Sequence, residues 1–460
     1  MASIELSNFL AAQSVGSLPD AVYAKSARVL ADTCAAILAG AQEPEMQSLA
    51  AATLIAGGAG PATALGHVRQ IEAGQAAFLN GCAGVFLELD EGSAASKGHP
   101  AIHIVPPLLA WAEQEGGDGA RFLHALALGY EVATRTGAGA SLRPTMHPHG
   151  VWGVVGGAAA LAVFDGADAK EIDETIRLSA SMALATSRPS MLEGATVRNA
   201  STGLSAQHAI QARRLIKAGF TGDKGALQNV FGAVIGSAWD ASALTSGLGA
   251  DWAIAEGYFK RHACCRYNHA ALDALEDLRM ANHGDITPET VEQIDVRAYT
   301  MATELDDAAP TNMLAAKFSL PFALATAIRR DGDTWLDAFR GDALTDPVTQ
   351  ALAKRVSLIA DTEMDKALPD NRISELTIRL KSGAVLTKRR DITGGDPAEP
   401  FDDALLDDKF LRLTTPLLGQ GAASQALQIA MNARALEDIR SLASAFTRRA
   451  AVSDQVEAAE

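Results

Sequence analysis

Apolar residues recur every three to four positions through most of the first 255 residues. In Leu18 to Leu38, the residues Leu18, Val22, Val29, Thr33, Cys34 and Ile37 fall near one helical face, with Pro19 suited to a first turn and Gly40 to a stop. The same spacing predicts helices over Ile71 to Leu87, Ile104 to Gln114, Gly119 to Thr136, Val151 to Phe164, Ala169 to Met182 and Thr202 to Ala218. Beyond about residue 255 the pattern changes. Val291 to Tyr299, Ile373 to Leu380 and Ala384 to Arg389 alternate with period two, and Lys381-Ser382-Gly383 suits a hairpin turn. Helical spacing lies between these strands at Lys317 to Arg329 and Pro347 to Ile359. It returns at Phe401 to Leu418 and Ala422 to Ala445, and Arg449 to Glu460 reads as a frayed tail. The expected architecture is mainly α: an all-helical bundle domain over 1–255, a smaller α+β lid domain over 256–398, and C-terminal helices over 399–460 that return to the bundle.

A chain of 460 residues exceeds what one core usually organises, which supports the division. With 48% hydrophobic but only 5% aromatic residues, the helices should meet through small side chains. The formal charge of −16 disfavours a nucleic-acid partner, since such binding rests on clustered Lys and Arg. No stretch approaches the ~20 apolar residues of a membrane span, and Met1 to Leu10 lacks a basic start, so a cytoplasmic protein without membrane contact is expected. Cys34, Cys82, Cys264 and Cys265 form neither a disulfide framework nor a C-x-x-C pair for an iron-sulfur cluster.

Two stretches concentrate reactive groups. Glu88-Leu89-Asp90-Glu91-Gly92-Ser93 with Lys97-Gly98-His99-Pro100 puts carboxylates, a hydroxyl and an imidazole in one Gly-containing loop before an apolar helix; its plainer reading is a solvated acidic cap. Lys260-Arg261-His262-Ala263-Cys264-Cys265-Arg266-Tyr267-Asn268-His269 is the most basic island in an acidic chain, suited to an anionic substrate; its plainer reading is a salt-bridge cluster between domains. Neighbouring cations would depress Lys260 and let it act as a base. His147-Pro148-His149 offers a pair of possible proton donors on a turn. His99 and His103 lack the Glu of a zinc-binding H-E-x-x-H, so no metal site is expected. Gly153-Val154-Val155-Gly156-Gly157 follows no strand, which favours helix packing over a dinucleotide site.

These stretches, taken in order with Leu30-Ala31-Asp32-Thr33, Leu38-Ala39-Gly40, Thr63 to His67, Leu79-Asn80-Gly81, Met191 to Gly194 and Lys317 to Pro321, resemble the MmgE/PrpD family over nearly the whole chain. The resemblance implies a helical domain plus an α+β lid with the site between them, a homodimer, and neither metal nor organic cofactor. By matching motifs it places Asp90, His99, His147 and Lys260 in the cleft. Glu88 and Glu91 stand where the family has Asp, and Ser93 where one form of the loop has His. The lysine and tyrosine of the cis-aconitate decarboxylases appear as Arg198 and Phe322, which makes decarboxylation a weaker expectation.

The expected chemistry is removal of an α-proton from a small di- or tricarboxylate. Lys260 or His99 is the candidate base, with Asp90 orienting His99. Arg198 with Arg261 or Arg266 grips the carboxylates, Ser93 adds a substrate contact, and His147 supplies a proton from the other side. That set favours an epimerase of the iminodisuccinate type, ahead of a 2-methylcitrate-type dehydratase and of a non-catalytic carboxylate-binding relative.

Overall fold

A computed structural model describes residues 1–447 except 57 and 283, so the tail expected over Arg449 to Glu460 lies outside the described residues. Helix α1 (Asp20–Gly40) runs through the centre of the bundle. Seventeen of its 21 residues are buried, so it lacks a polar face and packs on all sides. Around it lie α2 (Ala73–Gly84), α3 (Pro100–Glu115), α4 (Gly119–Gly139), α5 (Gly153–Phe164) and α6 (Val197–Lys217). The closest helix pairs are α6 with α2 and α4 with α5.

Small residues set both crossings, as the low aromatic content implied. A Cβ added at Gly81 would stand 2.8 Å from the Cα of Gly203, and one added at Gly203 would collide with Cys82 Sγ and the Phe78 carbonyl. Thr202 then donates its hydroxyl across the gap to the Gly81 carbonyl at 2.6 Å. Replacing Gly203 by Ala should therefore force α2 and α6 apart and cost roughly 1–3 kcal/mol, measurable by urea unfolding with unchanged slope.

The smaller domain holds α7 (His269–Ala281), β1 (Val291–Ala298), α8 (Leu320–Arg329), β2 (Val356–Ala360), β3 (Ser374–Leu380) and β4 (Val385–Arg390). Its sheet has the order β4-β3-β1-β2, antiparallel except for the parallel pair β1 and β2. Alternate residues Ile294, Val296 and Ala298 of β1, and Leu376, Ile378 and Leu380 of β3, are buried, as period-two spacing predicts.

Helix α9 (Asp403–Leu418) returns to the bundle and lies against α1. Arg28 of α1 meets Asp403 at 2.9 Å and Asp407 at 2.5 Å, and Lys409 of α9 meets Asp32 at 2.5 Å. Among the described residues no helix is long and apolar enough to cross a membrane.

Three boundaries differ from expectation. In Pro347 to Ile359 the helix starts where Asp346 accepts from the Thr349 amide and runs only to Ala353; Val356 to Ala360 then pairs in parallel with β1. A short apolar run with β-branched residues fits either state, and the open edge of β1 decides it. Lys317 to Arg329 divides after Lys317, because Ser319 accepts from the Phe322 amide at 2.9 Å and starts α8 with Pro321 in its first turn. Ala422 to Ala445 also breaks, into α10 (Gln420–Met431) and a short helix at Arg440–Ala445.

Candidate active site

The loop between α2 and α3 carries the first cluster of chemistry, and its shape is fixed by three lysines from later in the chain. Lys317 Nζ donates to the Leu87 carbonyl at 2.8 Å, and Lys409 Nζ donates to the Leu89 carbonyl at 2.6 Å. Between them Lys260 Nζ lies 3.4 Å from Glu88 Oε2 and 3.6 Å from Asp90 Oδ1. Buried loop carbonyls outside regular structure need such donors. Glu88 itself takes φ +55°, a left-handed conformation uncommon for a side-chain-bearing residue, which turns its carboxylate toward Lys260 and Arg198. Behind the loop, Glu91 accepts from the Ala101 amide at 2.6 Å and the Tyr130 hydroxyl at 2.9 Å, and burial pushes its carboxyl up to about 8.

His99 sits at the N-cap of α3. Its Nδ1 faces two acceptors, the Glu91 carbonyl at 2.6 Å and Asp90 Oδ2 at 3.1 Å, so Nδ1 carries a proton and Nε2 is the nitrogen left for the cleft. Asp90 is buried, yet His99 and Lys260 outweigh that burial and hold its carboxyl well below the usual range. Across the same cleft, the His149 amide donates to His147 Nδ1 at 3.2 Å, which leaves Nε2 of His147 as its N–H. Burial, reinforced by Arg198, keeps His147 neutral. The His149 ring joins the two, with centroids 5.1 Å from His99 and 4.7 Å from His147.

Guanidinium groups complete the walls: Arg188, Arg198, Arg266 and Arg372. Three already have carboxylate partners. Arg188 pairs with Glu304 at 2.5 Å, Arg198 with Glu88, and Arg266 with Asp396 at 2.7 Å while lying 4.5 Å over the Tyr258 ring. Among the described residues Arg372 forms no ion pair, and its buried Nε and Nη1 have no hydrogen-bond partner. A positive cleft in a chain of net charge −16 is what an anionic substrate requires.

The structure thus brings together Asp90, His99, His147, Lys260, Arg198 and Arg266, and separates two of the expected residues from them. Arg261 points away, into a surface hollow with Trp335 and Arg412, where it pairs with Glu276 and Asp273. It stands at the start of a bend, and its side chain lines that hollow and not the cleft. Ser93 is also withdrawn: its backbone pairs with Gly257 and Gly98, and its Oγ accepts from the Ser96 amide at 3.4 Å. It shapes the loop and does not line the cleft.

The expected base Lys260 needs a correction of role. Burial alone would depress it, but the carboxylates of Glu88 and Asp90 outweigh burial and raise it above its ordinary value. It stays an ammonium ion and acts as counter-ion to the acidic loop. Phe322 belongs to the core beside Phe339, whereas Phe318 lines the cleft. Sequence reasoning missed Arg188 and Arg372, isolated residues that no local spacing marks; Tyr258, two positions before Lys260, and His149, one of the expected proton-donor pair, line the same cleft.

Burial holds His103, His147 and His149 below their ordinary value, His103 down to about 3. Below pH 6.5 the unfolded chain binds protons that the folded site refuses. Stability should therefore be full above pH 6.5 and fall as pH drops toward the folded values, by about 1.4 kcal/mol for each tenfold loss of proton affinity that folding imposes on a group. Denaturant midpoints at pH 7 and pH 5 check this, and His103→Leu should flatten the dependence.

Residues 4–238 match the MmgE/PrpD N-terminal domain and residues 262–435 the MmgE/PrpD C-terminal domain. Cis-aconitate decarboxylase of Homo sapiens is 25% identical over 457 residues, covering 92% of this chain and 90% of that protein. The enzyme of the same name from Aspergillus terreus is 20% identical, covering 95% and 94%, and that of Mus musculus is 25% identical over 79% and 76%. With both domain models matched in order, the chain belongs to the MmgE/PrpD family.

Proposed function

We propose that this protein is a lyase acting on a small polycarboxylate, with His99 as the group that exchanges a proton with carbon. The observation that carries the reading is His99 at the cleft wall with Nδ1 hydrogen-bonded to the Glu91 carbonyl and 3.1 Å from the Asp90 carboxylate. Such an arrangement fixes the tautomer and stabilises the imidazolium that forms when Nε2 takes a proton.

In a dehydration, Nε2 removes the proton beside a carboxylate held by the arginines, and the charge spreads onto that carboxylate. The electron pair forms the carbon-carbon double bond as hydroxide leaves. His147 Nε2–H hydrogen-bonds the departing oxygen, which takes the proton from His99 and departs as water. A second reading, decarboxylation, is favoured by the cis-aconitate decarboxylase relatives. There the carbon–carboxylate bond breaks, its electron pair stays on carbon, and imidazolium His99 gives that carbon a proton. Epimerisation has less support, because a donor on the opposite face must be an imidazolium and burial with Arg198 keeps His147 neutral.

Proton NMR of the protein with 2-methylcitrate, citrate, cis-aconitate and iminodisuccinate tests the proposal. A new vinyl resonance from a hydroxy acid supports dehydration, and loss of one carboxylate from cis-aconitate supports decarboxylation. Interconversion of iminodisuccinate stereoisomers would replace the lyase reading with the epimerase. No change in any compound would move the weight to a binding-only relative.

A further inference from the structure

Of the four guanidinium groups in the cleft, Arg372 stands apart. It is 5% exposed, it comes from the residue pair before β3 of the smaller domain, and its charge has no carboxylate within ion-pair distance among the described residues. The carboxylate that acts on it most, Asp396, is held at 2.7 Å by Arg266. The other groups facing Arg372 are the phenols Tyr258, Tyr267 and Tyr299. Its guanidinium lies 5.4 Å over the Tyr258 ring, and burial raises all three phenols, Tyr258 to about 12, so none supplies an anion near neutral pH. A buried guanidinium left without an anion is costly, and a ring face offsets only a small part of that cost.

We infer that Arg372 is the receptor for a second, distal carboxylate of the substrate, so that the site takes molecules with at least two carboxylates and bridges the two domains through them. His99 and His147 stand on the helical domain, and Arg372 on the α+β domain, in the wall of one cleft. The carboxylate beside the reacting carbon lies at the histidines with Arg198, while the distal one meets the guanidinium of Arg372, whose Nε and Nη1 lack a partner, through a charge-assisted hydrogen bond. A monocarboxylate satisfies only one end. This inference rests on the reading of the cleft as a polycarboxylate site.

Thermal unfolding of wild type, Arg372→Met and Arg372→Lys separates the possibilities. Without ligand, Arg372→Met should melt at the wild-type temperature or above it, because it removes an unpaired buried charge. Citrate and cis-aconitate should raise the melting temperature of wild type, leave Arg372→Met unmoved and raise Arg372→Lys partly; acetate should move none. With a turned-over substrate, Arg372→Met should raise KM about 100-fold with a smaller change in kcat. A lower melting temperature of unliganded Arg372→Met, or a full citrate shift in that variant, would overturn the inference by making Arg372 structural or irrelevant to the anion. If only phosphate or sulfate shifts wild type, and Arg372→Met abolishes the shift, the anion site stands and the polycarboxylate reading falls. If no anion shifts wild type, both fall.

Discussion

Replacing His99 by Gln should lower kcat by about 10³-fold, within the 10²–10⁴ range for loss of a placed general base, with little change in KM. The glutamine amide can keep a hydrogen bond toward the Glu91 carbonyl but cannot take a proton. Asp90→Asn should approach the same loss by another route. An amide at residue 90 leaves the Glu91 carbonyl holding the Nδ1 proton but removes the carboxylate charge that stabilises the imidazolium formed when Nε2 takes a proton. The paired measurement of kcat and KM for both variants checks this. A large rise in KM with unchanged kcat would assign the pair to binding.

Lys260→Met should be the most destabilising single change in the site, at roughly 3–5 kcal/mol, because it leaves two buried carboxylates facing each other without their shared cation. Arg198 would still neutralise Glu88, but Asp90 would retain only His99. The displaced charge should draw a proton onto the pair, so the residual activity should shift toward higher pH. Denaturant unfolding gives the first effect and a pH–rate profile the second. Lys260→Met unfolding at the wild-type midpoint would mean that the loop does not depend on this cation.

The helical domain was legible because helices such as α1 and α6 carry their periodicity within the segment, and β1 and β3 likewise alternate within themselves. What escaped depends on partners far along the chain. Val356 to Ala360 is a strand because β1 offers a parallel edge, which the run itself does not encode. Lys260 looked like a depressed lysine among cations, but Arg261 lines a separate hollow, and the neighbours that matter are Glu88 and Asp90, about 170 positions earlier. Asp90, His99 and His147 could be singled out since each stands in a short motif, whereas Arg372 sits alone before a strand. Ser93 misled for the opposite reason: its place in a reactive loop marks a turn contact.

Proton exchange between His99 and substrate carbon is tested most directly by deuterium incorporation in D₂O, comparing wild type with His99→Gln on the substrate that turns over. Wild type should place solvent deuterium on the carbon beside a carboxylate, in the substrate during dehydration or in the product during decarboxylation, and His99→Gln should do so at least 10²-fold more slowly. Equal rates of incorporation by the two proteins would contradict that role for His99.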